Sequence, residues 1–352
     1  MQIEAMLKDA VDKGASDIFI VAGRALSVKV NGSIEMMTEN RLSAANTEIL
    51  VKDIYALAHR KENDFDKDGD DDFSFSIGSL GRFRVNAYKQ RGSYAAVIRV
   101  VNFAMPDPKK LNIPDTIINL FSEKQGLILI TGPAGSGKST TLACMIDKMN
   151  ENRNAHIITL EDPIEYIHSH KKSIVSQREI PTDTMDYVSG LRAALRQAPD
   201  AILLGEMRDL DTISIAMTAA ETGQLIFSTL HTLGAAHSID RIIDVFPSNQ
   251  QHQIRVQLAM VLKAVISQQL VPGIDGTLIP AFEIMTVTPA IRNLIRDAKI
   301  HQIEAMMQAS RNEGMKTMDM SLLELYQQGR IDDKQALIYA INKDAMLQKI
   351  KR

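Results

Sequence analysis

Apolar residues recur at helical spacing near the amino terminus, at Ile3, Met6, Leu7, Ala10 and Val11, so residues 2–12 are predicted to form an amphipathic helix that Gly14 stops. The pattern then shortens to β-rich runs at 17–21 and 27–30, with a turn at Asn31 and Gly32. A helix near 47–58 and strands at 73–77, 82–88 and 94–101 complete a small α+β domain, assigned to residues 1–101. Pro106, Pro108 and Pro114 then interrupt any regular element, which marks 102–114 as an inter-domain linker.

After the linker, apolar runs at 127–131, 156–160, 201–205 and 225–230 alternate with segments of helical period. That alternation predicts a parallel sheet covered on both faces, hence an α/β domain over 115–280. Beyond about residue 280 the pattern is helical throughout, with breaks at Gly314 and Gly329, so 281–352 is read as a helical C-terminal subdomain.

Composition narrows the function classes. A length of 352 residues suits two domains and a tail, and 45% apolar against 24% charged residues supplies enough burial for folded cores. Counting 40 Lys plus Arg against 43 Asp plus Glu gives a net charge of −3, so no global field draws the chain to nucleic acid, and no nucleic-acid partner is expected. No basic-then-apolar leader opens the chain, and apolar runs such as 127–130 are too short to span a bilayer; a cytoplasmic protein without membrane insertion is expected. The single cysteine, Cys144, excludes an internal disulfide and a four-thiolate zinc site, and reads as a buried small apolar residue on a helix.

The acidic run from Asp64 to Asp72 opens with the spacing and glycine of a calcium-binding EF-hand loop. Its twelfth position is Phe75 rather than a bidentate Glu, and it runs into a strand rather than a helix. A solvated hairpin loop is the preferred reading.

The strongest chemical signal is Gly132-Pro133-Ala134-Gly135-Ser136-Gly137-Lys138-Ser139, a G-x-x-x-x-G-K-S phosphate loop. It follows a predicted strand and precedes a helix whose buried face is marked by Leu142, Met145, Ile146 and Met149. In that context the glycines let backbone N–H groups close around phosphate oxygens, and the helix N-terminus adds its positive dipole end. Lys138 neutralises terminal phosphate charge, Ser139 ligates magnesium, and Thr140 extends the nucleotide-binding run from Gly132. ATP with Mg2+ is the expected substrate and cofactor pair.

Such a site needs a carboxylate at the carboxyl end of a neighbouring strand, to hold the metal or activate water. Glu206 follows the strand at 201–205, and Glu161 with Asp162 follows the strand at 156–160. Glu206 is assigned as the water-activating base and Glu161 as metal-side support, with the reverse assignment left open. His231 follows the strand at 225–230, where it could report on a γ-phosphate, although a lone histidine is more often structural. In the amino-terminal domain Arg82, Arg84, Arg91 and Arg99 lie on or beside strands. Their default is an exposed face, but in an oligomeric ATPase such arginines can enter a neighbour's site and stabilise phosphate charge, worth roughly a thousandfold or more in rate.

Taken together these motifs resemble one family over nearly the whole chain: the type IV pilus retraction ATPases, or PilT family, of the secretion ATPase superfamily of RecA-like hexameric motors. The carriers are the phosphate loop, an Asp box in Ile158-Thr159-Leu160-Glu161-Asp162-Pro163-Ile164-Glu165, a Walker B region from Ile202 to Asp209, and a His box from Ser228 to Thr232. Ala290-Ile291-Arg292-Asn293-Leu294-Ile295-Arg296 is similar to the family's AIRNLIR motif, needed there for retraction. The resemblance implies a RecA-like P-loop core preceded by a PAS-like domain that packs on the next subunit's core in a homohexamer, with ATP between them. It further implies Arg84 and Arg99, ahead of Arg82 and Arg91, as contacts in trans, the 102–114 linker as hinge, and an inner-membrane pilus platform protein as partner. The chain would then work at the inner face of the cytoplasmic membrane. Two positions depart from the family: Ala134 where Thr is usual, and Ala198 in place of an acidic residue before Pro199 and Asp200. The first affects only a backbone contact; the second touches either a subunit contact or the magnesium environment.

The nearest rival, a pilus assembly or type II secretion ATPase, shares the ATP chemistry but commonly carries an extra amino-terminal domain and a four-cysteine insertion, which this sequence lacks. A nucleic-acid translocase is disfavoured by acidic net charge and the want of an aromatic-rich basic strand path. A non-hydrolysing regulatory partner is disfavoured by the presence of Lys138, Glu161, Glu206 and His231.

Overall fold

A computed structural model describes residues 3–30, 32–61, 63–78, 80–101 and 105–351, divided into two compact units. Asn31 of the expected turn and residues 102–104 of the expected linker lie outside the described residues.

The first unit is built on six strands: β1 (Asp17–Ile20), β2 (Ala25–Val30), β3 (Ser33–Arg41), β4 (Asp70–Ile77), β5 (Gly81–Gln90) and β6 (Ser93–Val101). They form one sheet in the order β3-β2-β1-β6-β5-β4, every neighbour antiparallel. The opening helix, Ile3–Asp12, buries Ile3, Met6, Leu7 and Ala10, as its spacing predicts. A second helix, Ala44–Leu57, starts at a Ser43 capping box and buries Ile54 and Tyr55 into the same core. Along β5 the side chains alternate: Phe83, Val85 and Ala87 are buried, while Arg82, Arg84 and Asn86 occupy the other, half-buried face. Strand β3 was not expected; it is an edge strand with no fully buried residue, so it carries no alternation to read.

The acidic run is not a hairpin loop. Residues Asn63–Asp68 form a short helix, and β4 begins already at Asp70, placing Asp71 with Phe73 and Phe75 on the buried face. Arg60 grips Asp71 with two hydrogen bonds of 2.9 and 2.8 Å, and the Tyr55 hydroxyl donates a third at 2.9 Å. The β period starts three residues earlier than the apolar residues alone suggest, because an ion pair satisfies the buried carboxylate.

The second unit contains β7 (Gly126–Thr131), β8 (His156–Glu161), β9 (Ile174–Glu179), β10 (Ala201–Leu204), β11 (Leu225–Leu230), β12 (Leu262–Pro272) and β13 (Leu278–Thr286). Their order is β13-β12-β7-β11-β10-β8-β9, all parallel except for β13 at one edge. Both faces are covered. Leu127 and Leu129 pack into one core with helices Leu210–Glu221, Ala235–Asp244, Gln251–Val261 and Pro289–Arg296. Ile128 and Ile130 face the opposite core, filled by Leu142, Met145, Ile146 and Met149 of helix Lys138–Asn152.

Two features differ from expectation. Strand β9 is a largely polar edge strand paired only with β8, which leaves no apolar alternation in the sequence. The helical pattern expected from 281 instead starts at Pro289, since residues up to Thr286 pair with β12 from Pro272↔Leu278 to Ala264↔Thr286. That run, rich in Ile, Phe and Met, suits either period, and its pairing partner decides. From Pro289 onward helices follow, broken as expected at Gly314 and Gly329, both with positive φ.

Candidate active site

Parallel strands deliver their carboxyl ends to a single edge of the sheet, where open α/β folds place ligands. At the end of β7 the chain enters the exposed crest Pro133, Ala134 and Gly135 before helix Lys138–Asn152 begins. Gly137 stands at the helix N-cap with φ 87° and offers no side-chain cap, so the first-turn N–H groups are open to an anion. Gly132 is required for space: a Cβ there would lie 2.2 Å from the carbonyl oxygen of Gln268 on β12. The Lys138 ammonium is buried and donates to the carbonyls of Gly132 and Pro133 at 3.0 and 2.9 Å, spanning the loop. Ser136 is buried, and its hydroxyl has no hydrogen-bond partner among the described residues. Ser139 and Thr140 are half-buried in the first helical turn.

The carboxylates lie on the same edge at different distances from the loop. Strand β11 neighbours β7, β10 comes next and β8 after that. At about 4.8 Å per strand, the ends bearing Glu206 and Glu161 are offset laterally by roughly 10 and 14 Å from β7. Glu206 is 19% exposed and sits between the Arg208 guanidinium, with Nε at 2.7 Å, and the His231 imidazole, with Nε2 at 3.4 Å from the same oxygen. The loop after β10 is tied to β11, because the Thr229 hydroxyl donates to the Gly205 carbonyl at 2.5 Å and Met207 N–H to the Thr229 carbonyl at 3.3 Å. Glu161 instead accepts from the Thr159 hydroxyl at 2.6 Å and from the Gln177 amide at 3.2 Å. So the fold joins Glu206 with His231, and places Glu161 against Thr159 and Gln177. Ser139, Glu161 and Glu206 present hard oxygen donors; among the described residues no group of three His, Cys, Asp or Glu side chains is placed to hold a metal by itself.

Sequence reasoning missed several residues here. Arg208, in the Walker B run but given no role, pairs with Glu206 and, with Arg241, lines a cavity of about 410 Å³ beside Glu206 and His231. Tyr187 begins helix Tyr187–Ala194, and its hydroxyl would lie 2.6 Å from a Cβ at Gly205. Burial first, then the charges of Glu206, Asp162 and Glu161, push its pKa up, so it stays a protonated phenol beside the carboxylates. Glu283, on β13, is buried and accepts from Ala235 N–H at 2.6 Å and Met318 N–H at 3.2 Å. It thereby caps the helix after the His box and the helix Met318–Gln327 at once; burial raises its pKa. None of these four residues carries a signature readable without the fold.

Ala198 has φ 50° and is exposed at the amino end of β10, the opposite edge from Glu206. Of the two effects expected of it, an altered magnesium environment is ruled out by placement. Cys144 is buried, and burial, ahead of the Asp147 and Asp107 charges, pushes its thiol up to about 12, so it is inert.

In the first unit, Arg84 on β5 and Arg99 on β6 are direct cross-strand partners. Like charges facing one another are a local cost, relieved on one side by Asp17, whose carboxylate accepts from Arg99 Nε at 3.2 Å. With Asp72, Asn86 and Val97 these residues line a polar concavity of about 300 Å³. Arg82 shares their strand face, and its guanidinium donates to the Ser76 hydroxyl at 3.4 Å; Arg91, with φ 50°, stands in the turn after β5. The AIRNLIR-like segment forms helix Pro289–Arg296, capped by Thr288, with Ile291 and Ile295 buried. Arg292 donates to the Ala259 carbonyl at 3.0 Å, while Asn293 and Arg296 face outward.

A glycine-rich loop opening a helix at the carboxyl edge of a parallel sheet, with a lysine across it and carboxylates along the edge, defines a P-loop ATPase with a RecA-like α/β core. Comparison with known proteins bears this out. The family model "Type II/IV secretion system protein" matches residues 1–278. The chain is 43% identical over 336 residues to the type IV pilus retraction ATPase PilT of Pseudomonas aeruginosa, covering 96% of this chain and 97% of that one. It is 42% identical over 320 residues to a twitching motility protein of Neisseria gonorrhoeae, covering 91% and 85%. A crystal structure of the pilus retraction motor PilT with bound ADP superposes with a TM-score of 0.90 at 44% identity, covering 99% of both chains. The chain therefore belongs to the type II/IV secretion system protein family, and it is an ATPase that binds nucleotide. Among the described residues no helix is long and apolar enough to cross a membrane.

Proposed function

We propose that this chain is the ATP-driven motor of type IV pilus retraction, acting as a homohexamer on an inner-membrane platform protein from the cytoplasmic face. The observation that carries the reading is the match to a retraction ATPase along essentially the full length of both chains. The outward Asn293 and Arg296 of the AIRNLIR-like helix support it, because they are presented on a helix whose apolar side is already buried.

In this reading the N–H groups from Gly132 to Thr140 cradle the phosphates, and Lys138 leaves the loop carbonyls to neutralise the terminal phosphate. Ser139 would hold magnesium with phosphate oxygens, since magnesium favours one or two protein oxygens plus phosphate and water over a protein cage. When bound, the ion draws negative charge off the phosphates as the bond breaks. Glu206, nearer the loop than Glu161 and flanked by His231, takes the proton from attacking water; Glu161 would support the magnesium side from further along the edge. His231 senses the γ-phosphate through its pairing with Glu206. Arg84 and Arg99 enter the neighbouring subunit's site, with Arg82 and Arg91 behind them; 1–101 serves as the sheet unit, 102–114 as hinge, the motor core runs from 115 through β13 to Thr286, and the helical tail follows from Pro289.

Two measurements test this. Purified chain with saturating magnesium and ATP should form a hexamer and release phosphate; binding without turnover sinks the motor. Deleting the gene in a piliated host should abolish twitching while pili remain; loss of pili instead would assign the chain to assembly.

A further inference from the structure

The phosphate loop has a neighbour that no motif announces. Strand β12 runs parallel to β7 on the side away from β11, with Ile266 opposite Ile130 and Ser267 opposite Thr131, so Gln268 stands level with Gly132. Its carbonyl oxygen occupies the place a Cβ on Gly132 would need, at 2.2 Å. Its side chain reaches the other end of the loop, where the amide nitrogen would lie 2.8 Å from a Cβ on Gly137. Its amide oxygen accepts from the Thr141 hydroxyl at 2.8 Å. One residue, 3% exposed, therefore touches the first glycine of the loop, the last glycine, and the first turn of the helix.

We propose that Gln268 is a positioning residue for ATP: anchored by Thr141 behind the loop, its carboxamide sets the spacing between Gly132 and Gly137 and so the aim of the loop's N–H groups. Thr141 is fully buried, and a hydroxyl that donates must meet the oxygen end of the amide, which leaves the nitrogen end for Gly137. A buried amide costs free energy unless bonded, and an apolar side chain would fill this strand position without that cost. The sign of the group also matters, because a carboxylate of the same shape would oppose the phosphates. This inference rests on the nucleotide reading of the loop.

The experiment compares the parent chain with Gln268→Leu and Gln268→Glu, measuring Kd for ADP and an ATP analogue by calorimetry, and kcat and KM for hydrolysis, from about pH 8 to about pH 5.5. Thermal melting confirms folding of each variant. Gln268→Leu should raise KM and Kd about tenfold with kcat less affected, the cost of a lost bonding group. Gln268→Glu should raise them about a hundredfold at the alkaline end and recover toward the parent as pH falls, because the protonated carboxyl restores a donor beside Gly137. Affinity within twofold of the parent in both folded variants, or a loss in Gln268→Glu that stays constant with pH, overturns the proposal. A parent chain that takes up no nucleotide overturns it together with the nucleotide reading; a parent that binds while the variants bind equally overturns the proposal alone.

Discussion

The two sheets of this molecule solve opposite problems. The first is antiparallel, with strands that begin and end at both edges, so no one edge can gather loops; its polar groups spread over a face instead, as Arg84, Arg99, Asp17 and Asn86 do. The second is parallel apart from β13, and both faces are packed with apolar side chains, so chemistry is confined to the carboxyl edge. There the backbone itself becomes the ligand, through a loop that only glycine can build at Gly132. The lesson concerns cost: a face of charged side chains tolerates substitution, whereas an edge loop wedged against its neighbour strand does not.

Predictions follow that contrast from the largest effect down. Lys138→Ala should lower turnover by at least about a thousandfold in phosphate-release assays while the melting temperature stays near the parent's, since it removes charge from the edge without opening a core. Unchanged turnover would break the assignment of the edge as catalytic. Glu206→Gln should reduce kcat by about 10²–10⁴-fold, the range for losing a general base, with Glu161→Gln weaker and more sensitive to magnesium concentration. The reverse ranking would exchange their roles.

In the first unit the largest penalty should come from the buried carboxylate of Asp71. Asp71→Ala removes the acceptor of the exposed Arg60 and of the buried Tyr55 hydroxyl and should cost about 1–3 kcal/mol in urea unfolding, with nucleotide affinity retained. The second unit has its own acid-sensitive group. Burial, ahead of the opposing Asp147 charge and the Lys171 charge, holds the His168 pKa down from 6.5 to about 4. The unfolded chain therefore binds a proton that the folded one refuses between those values, and stability falls as pH drops through that window, by roughly 3 kcal/mol in full. His168→Asn should flatten that slope in melts between pH 6.5 and about 4, and an unaltered slope would place the acid sensitivity elsewhere. Smallest of all, Arg99→Ala should shift unfolding free energy by no more than about 0.5 kcal/mol, because its side chain is 68% exposed and its pairing with Asp17 is screened. A larger loss would mean that the polar face holds the sheet together rather than waiting for a partner.

Much of this was legible along the chain. The loop from Gly132 to Ser139 announces itself because a backbone phosphate cradle needs glycines, a lysine and a hydroxyl at fixed spacing, all local in sequence. Strands β7, β8, β10 and β11 are readable because a strand buried on both faces must be continuously apolar. Edge strands β3 and β9 were not, since their mostly exposed or half-buried polar side chains leave no apolar alternation. The acidic run misled for the reverse reason: Asp71 looks solvated until Arg60 and Tyr55 are brought to it from an adjacent helix and loop.

By itself, then, the sequence showed a run from Gly132 to Ser139 with the spacing of a phosphate loop, and carboxylates and a histidine ending neighbouring strands. Tertiary structure decided which of them meet. Strand order, set by how helices cross the sheet rather than by order along the chain, puts β11 and β10 together so that His231 pairs with Glu206, sets Glu161 a strand further away, and brings Gln268 from more than a hundred residues on to the back of the loop. Local spacing fixes what a segment can bind; only the folded sheet, by satisfying every buried amide and filling both faces, fixes which segments bind together.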